Sequence, residues 1–120
     1  MLFNKTTRKK VCGKARLANH PWQKLKGLMF EDEKNFDYAL VFDLGEEHRF
    51  SAGIHMMFVF FPIDVVWLDK NKKVVDKVEG IKPFTPNYIP KKRARYFVEL
   101  PVGNGKKIKI GNELDWKISE

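Results

Sequence analysis

Ile54-His55-Met56-Met57-Phe58-Val59-Phe60-Phe61-Pro62-Ile63-Asp64-Val65-Val66-Trp67-Leu68 is the stretch on which the fold turns. Almost every residue in it is apolar, β-branched or aromatic, the composition of a pleated surface covered on both faces. Pro62 divides the run, because proline has no N–H to give to a strand ladder. The stretch therefore predicts two central strands, over residues 54–61 and 63–68, with a bulge or corner at Pro62. Its uninterrupted apolar core, residues 56–63, falls far short of the ~20 residues that a membrane-spanning helix needs. Two polar residues stand inside it, His55 and Asp64.

Working outward, Asp69-Lys70-Asn71-Lys72 reads as a turn and residues 73–78 as the return strand of a hairpin. Residues 80–90 hold Pro83, Pro86 and Pro90 with Phe84 and Tyr88 between them, which predicts an extended surface excursion. Tyr96, Val98 and Leu100 alternate with Arg95, Phe97 and Glu99, another strand. Gly103-Asn104-Gly105 is a turn signal, and residues 107–110 and 114–118 predict two short closing strands around Gly111-Asn112. On the other side, residues 38–42 predict a strand and residues 43–51 a loop. Val11, Gly13, Ala15 and Leu17 alternate with Lys14 and Arg16, so residues 11–18 read as a half-buried strand. Asn19-His20-Pro21 then interrupts, and Trp22, Leu25, Leu28 and Met29 form an apolar stripe, predicting one short helix over about residues 21–30. The expected fold is α+β, mainly β: a small barrel- or sandwich-like domain of about seven short strands and one short helix.

The chain has 120 residues without repeat, low-complexity tract or linker, so residues 1–120 read as a single domain. At 43% hydrophobic and 32% charged it has globular composition, which excludes a disordered or collagen-like chain. The net charge of +8 is unevenly spread: residues 1–30 carry +8, residues 31–69 carry −7 and residues 70–120 carry +7. Such a layout fits either a solvated surface of mixed charge or a polyanion-binding face. Cys12 stands alone and cannot form an internal disulfide, and the first ten residues lack the apolar segment of a secretory signal. A cytoplasmic protein is the expectation.

Several residues invite a chemical reading. Asp64, amid β-branched neighbours, must be exposed, paired, or accept backbone N–H groups. It either ties down the Pro62 corner or contacts a ligand. His55 in an apolar run is either a hydrogen-bonded core histidine or a binding group. His20, His48 and His55 lack metal-ligand spacing, so neither a metal site nor a cofactor is expected. Ser51 and Cys12 have no nucleophile context and the glycines form no phosphate loop, so a binding role is expected ahead of catalysis. Lys91-Lys92-Arg93 between Tyr88 and Tyr96, together with Lys9 and Lys10 of a basic N-terminal arm, resembles a single-stranded nucleic-acid surface. Alternatively, Trp67, Tyr88 or Trp116 offers a flat apolar face with His55, Asp64, Arg95 and Glu99 supplying hydrogen bonds, as a site for a small polar ligand such as a carbohydrate would.

One further ordering of residues is informative: Gly27-Leu28-Met29, Leu40-Val41-Phe42, Phe61-Pro62-Ile63-Asp64, Trp67-Leu68-Asp69, Lys82-Pro83-Phe84, and Ala94-Arg95-Tyr96-Phe97-Val98-Glu99-Leu100-Pro101. Over residues 11–116 this resembles the domain of unknown function 192 family of small bacterial and archaeal proteins. The resemblance implies a compact, mainly β fold with a short helix, and no established activity. Many members carry Trp-Met-Lys-Asn-Thr before the proline corner. Here those positions are His55-Met56-Met57-Phe58-Val59, without the amine and amide. A small cytoplasmic binding or accessory domain for a small polar ligand is the expected function, with nucleic-acid binding as the alternative.

Overall fold

Every residue of Ile63–Leu68 is buried, as its Val/Ile/Trp composition requires, and only a central place in a layered fold provides that. The computed structural model describes residues 1–18 and 27–119. Its strands in chain order are β1 (Leu2–Asn4), β2 (Lys9–Cys12), β3 (Ala15–Leu17), β4 (Ala39–His48), β5 (Ile63–Leu68), β6 (Val74–Ile81), β7 (Ala94–Pro101) and β8 (Leu114–Trp116). Five of them form one sheet in the order β3-β4-β7-β5-β6, and three form a second in the order β2-β1-β8. Among the described residues only β3 and β4 pair in parallel; the other pairings are antiparallel.

The two faces of the larger sheet have different covers. On one, Val41, Val66, Val98 and Leu100 pack beneath Leu2, Val11 and Leu114 of the smaller sheet. On the other, Leu40, Phe42, Ile63, Val65, Trp67 and Phe97 lie under segments outside the strands, through Leu28, Phe36, Ala52, Ile54, Met56, Val59 and Phe61. Side chains alternate between the faces along β5 and β7, as the pleat dictates. That alternation assigns each polar residue in these strands to one layer or the other.

The architecture is mainly β, in two sheets rather than a closed barrel. The sandwich form of the expectation holds and the barrel form does not, because β3 and β6 remain as edges of an open sheet. Residues 54–61 do not form a strand. Only Ile54 bridges, to Tyr88, and the backbone then turns, with Val59 N–H donating to Met56 O (3.1 Å). Buried Met56, Val59 and Phe61 still fill the core from this loop, so the apolar run signalled burial and not a ladder. Residues 107–110 likewise form no strand. The 3-10 turn Asn104–Lys107 takes in the first of them, Ile108 beyond it is extended but joins no ladder, and Lys77 Nζ satisfies the carbonyls of Gly105 (3.0 Å) and Ile108 (2.7 Å). β4 runs on through much of the predicted loop at 43–51, with a register shift between Asp43 and His48. The strand predicted at 11–18 is split at Gly13-Lys14, its halves joining different sheets, and β1 had no sequence expectation. Of the predicted helix, residues 21–26 lie outside the described residues and residues 27–30 form a turn. Among the described residues the helical elements are 3-10 turns, at Glu33–Asn35 and Asn104–Lys107.

Candidate functional site

Glu99 lies at the middle of the larger sheet, paired with Leu40 of β4 and Val65 of β5. It shares parity with Phe97, which points it toward the loop-covered face. There it is 6% exposed, and its Oε1 has no hydrogen-bond partner among the described residues. Burial pushes its carboxyl up to about 8, so at neutral pH the group carries its proton. Glu99 lines a cavity of about 80 Å³ together with Gly27, Met29, Phe42, His55 and Phe97, among others. Gly27 holds a left-handed φ of 52°, and a Cβ there would stand 3.7 Å from Glu99 Oε1. Backbone thus approaches the carboxyl closely enough to roof it.

The aromatic wall of this cavity is a cross-strand stack. Phe42 on β4 and Phe97 on β7 are register partners, with ring centroids 4.3 Å apart and planes 10° from parallel. Phe42, Gly53 and Phe97 also line an adjoining groove of about 280 Å³ with Asp43, Leu44 and Ser51. Arg95 caps Asp43 there with two contacts, Nε to Oδ1 at 3.1 Å and Nη2 to Oδ2 at 3.3 Å, and the hydrogen bond raises the Arg95 pKa further. His55 sits at the mouth. Its Nδ1 accepts the Met57 N–H at 3.2 Å, so in the neutral ring Nε2 carries the proton, an assignment made from the hydrogen-bond network.

Outside the mouth runs a ridge of exposed aromatics. Phe30 stacks on Phe58 (5.1 Å), and Phe84 meets Phe58 (6.0 Å) and Phe60 (5.2 Å) edge-on. Phe30, Phe58 and Phe84 all adopt left-handed backbone, with φ of 63°, 59° and 61°. Each such residue costs ~1–2 kcal/mol relative to right-handed backbone. Two backbone bonds hold the conformation: Phe30 N–H to Phe58 O and Phe84 N–H to Met56 O, each 2.8 Å.

The sequence model of domain of unknown function 192, described as an uncharacterized ACR, matches residues 3–116. The chain belongs to the DUF192 family. It is 40% identical to a UPF0127 protein of Thermococcus sibiricus over 122 residues, covering all of this chain and 77% of that one. A UPF0127 protein of Pyrococcus horikoshii is 41% identical over 118 residues, with 97% and 98% of the two chains covered. Among solved structures, a protein of unknown function from Novosphingobium aromaticivorans superposes with a TM-score of 0.75 at 20% identity, over 85% of this chain and 74% of that one. A Sinorhizobium meliloti protein gives a TM-score of 0.74 at 23% identity, over 84% and 79%. At those identities the structural likeness speaks to the fold alone.

This DUF192 domain brings together only part of the residue set read from sequence. His55 and Glu99 line one cavity. Trp67 is buried on the same face, but its indole N–H donates to Ala52 O (2.8 Å) and its ring stacks on Tyr88 (5.2 Å). Arg95 is held by Asp43 in the adjoining groove. Asp64 has the opposite parity on β5, and its carboxylate accepts N–H groups from Gly80 (2.8 Å), Gly103 (2.8 Å) and Gly105 (2.7 Å). In the basic–aromatic segment, Tyr96 is 8% exposed and packs edge-on to Trp116. Burial, and then Asp76, push the Tyr88 phenol up. Lys9, Lys10, Lys91, Lys92 and Arg93 are exposed; Arg93 donates to Glu47 O (2.9 Å). Sequence reasoning missed Phe42, Phe97, Gly27 and Met29 as lining residues. The alternation around Phe97 and Glu99 held a signal that the two share a face; nothing local foretold that Phe42 would be their neighbour.

Proposed function

We propose that this is a binding domain for a small polar ligand, whose head group enters the cavity beside Phe42 and Phe97 and is anchored by Glu99. One observation carries the reading: Glu99, which lines that cavity, has a buried carboxyl oxygen without a partner among the described residues. Leaving such a group unsatisfied costs ~1–3 kcal/mol, which an apolar residue at the same place would avoid. Apolar walls with a few placed polar groups are also how small-molecule sites are built. A cavity of about 80 Å³ has room for the head group of a small ligand. The adjoining groove has room for the remainder of the ligand. A cytoplasmic setting belongs to the same reading, motivated by the lone cysteine; no helix among the described residues is long and apolar enough to cross a membrane.

Nucleic-acid binding has less support, since Tyr96 presents little ring to stack a base and Tyr88 is committed to Trp67. A chemical-shift titration with neutral, cationic and anionic fragments tests the proposal. The expected result is perturbation centred on Gly27, Gly53, His55 and Phe97, lost in Glu99→Leu. A silent panel at millimolar concentrations overturns it. Salt-dependent retention on single-stranded RNA, weakened by a combined Lys91/Lys92/Arg93→Ala substitution, would transfer the function to the basic segment.

A further inference from the structure

The chemistry of the walls narrows the class of ligand, and this step rests on the reading just given. We infer that the head group entering the cavity is a small organic cation, a primary ammonium or an amidinium, paired with Glu99 and resting against the Phe42–Phe97 stack.

Three features support positive charge over negative or none. First, the acidic side chain lining the cavity is Glu99, and no lysine or arginine lines it among the described residues. Among these residues an anion would meet no counter-charge. The nearby guanidinium, Arg95, is already bound to Asp43. Second, the aromatic rings carry negative π faces, which attract a desolvated cation and offer a neutral amide no comparable gain. Third, Glu99 has no ion-pair partner among the described residues, so the attraction of a buried carboxylate is available to an incoming group. In a low-dielectric site that attraction exceeds what a neutral hydrogen bond supplies.

Binding then includes a proton step that balances simply. The Glu99 O–H bond breaks, the proton passes to solvent, and the carboxylate and ammonium form a pair with no net charge. Among the described residues His55 is the other titratable side chain lining the cavity, and Asp43, held by Arg95, lines the adjoining groove.

Acetamidinium, acetamide and acetate have nearly the same shape and differ in charge, so they separate the possibilities. Each is titrated into the intact chain at pH 7 and matched ionic strength while the amide resonances of Gly27, Gly53 and Phe97 are followed. Acetamidinium is expected to bind at least tenfold more tightly than acetamide, and acetate to leave the resonances unmoved. Calorimetry in buffers of different ionisation heat is expected to show close to one proton released per acetamidinium bound. In Glu99→Gln, acetamidinium should weaken to the level of acetamide. Acetamide binding as well as acetamidinium, acetate binding best, or no proton release from the wild-type chain overturns the cationic class while leaving the cavity as the binding site. Should none of the three move these resonances, both the class and the binding reading fall. The proton count uses the unaltered protein, so a poorly folded variant does not spare the proposal.

Discussion

Glu99 is a carboxyl buried where hydrocarbon would be more stable, and the proposed binding role is what it would serve. Replacing it with leucine removes a buried carboxyl that has no partner among the described residues and fills its place with a similar volume of hydrocarbon. We expect Glu99→Leu to raise stability by about 1–3 kcal/mol, read as a higher urea midpoint. A lower midpoint would mean that the carboxyl is satisfied in solution. The same group sets a pH dependence. Its folded pKa, about 8, lies above the ordinary 4.5, so the folded state holds the proton longer. Below about pH 4.5 the carboxyl is neutral in both states and costs nothing extra. Between 4.5 and 8 the unfolded chain ionises first, and stability falls by up to about 1.4 kcal/mol per pH unit from this group. Glu99→Gln should flatten the stability profile between pH 5 and 8. Asp37 and Asp115 act in the opposite sense, their pKa values lowered by hydrogen bonds from Lys14 and Lys72, so their small contribution disappears in acid. That Glu99 faces the same way as Phe97 was legible from the alternation of residues 95–100. That its oxygen would lack a partner was not, because its surroundings come from residues far away in the chain.

At the scale of elements, Asp64 is a knot tying three of them. One carboxylate oxygen takes the N–H of Gly80 at the end of β6, and the other takes those of Gly103 and Gly105 after β7. Gly105 meets Asp64 so closely that a Cβ would fall 2.9 Å from Oδ2 and 3.2 Å from Glu79 Cγ. Asp64→Ala should cost about 3–5 kcal/mol, since it strands several donors at once, and Gly105→Ala about 1–3 kcal/mol through overpacking. Paired urea melts check both, and coupling between the two substitutions is expected because they disturb one contact. A fully stable Asp64→Ala would remove the knot from this account. The elements themselves were unevenly legible. β5 and β7 followed from composition and alternation, whereas the run at 54–61 carried the same composition without forming a strand. Its backbone bonds to Thr85 and Phe84, and the left-handed turn at Phe58 replaces the ladder.

For the molecule as a whole, the two faces of the larger sheet serve different ends. The face beneath the smaller sheet is closed, with Asp64 satisfied by backbone N–H groups on that side, and Leu2 at the centre of the cover is fully buried. Leu2→Ala should cost about 2–5 kcal/mol while leaving fragment binding at the Glu99 cavity intact in whatever fraction remains folded. Loss of binding out of proportion to unfolding would show that the layers are coupled. The opposite face, covered by irregular segments, holds the cavity and the exposed aromatic ridge. The charge segments also meet in space: Lys14 pairs with Asp37 (2.8 Å) and Arg95 with Asp43 (3.1 Å), so basic stretches answer the acidic middle within one chain.

From its sequence alone this protein was mainly β with a buried central strand after Pro62, because burial and period two are written locally in residue type. Tertiary structure alone decided that Glu99 and His55 share a cavity while Asp64 turns to the other layer. Pleat parity fixes which residues of one strand share a face, but only packing between strands and loops fixes what stands opposite them.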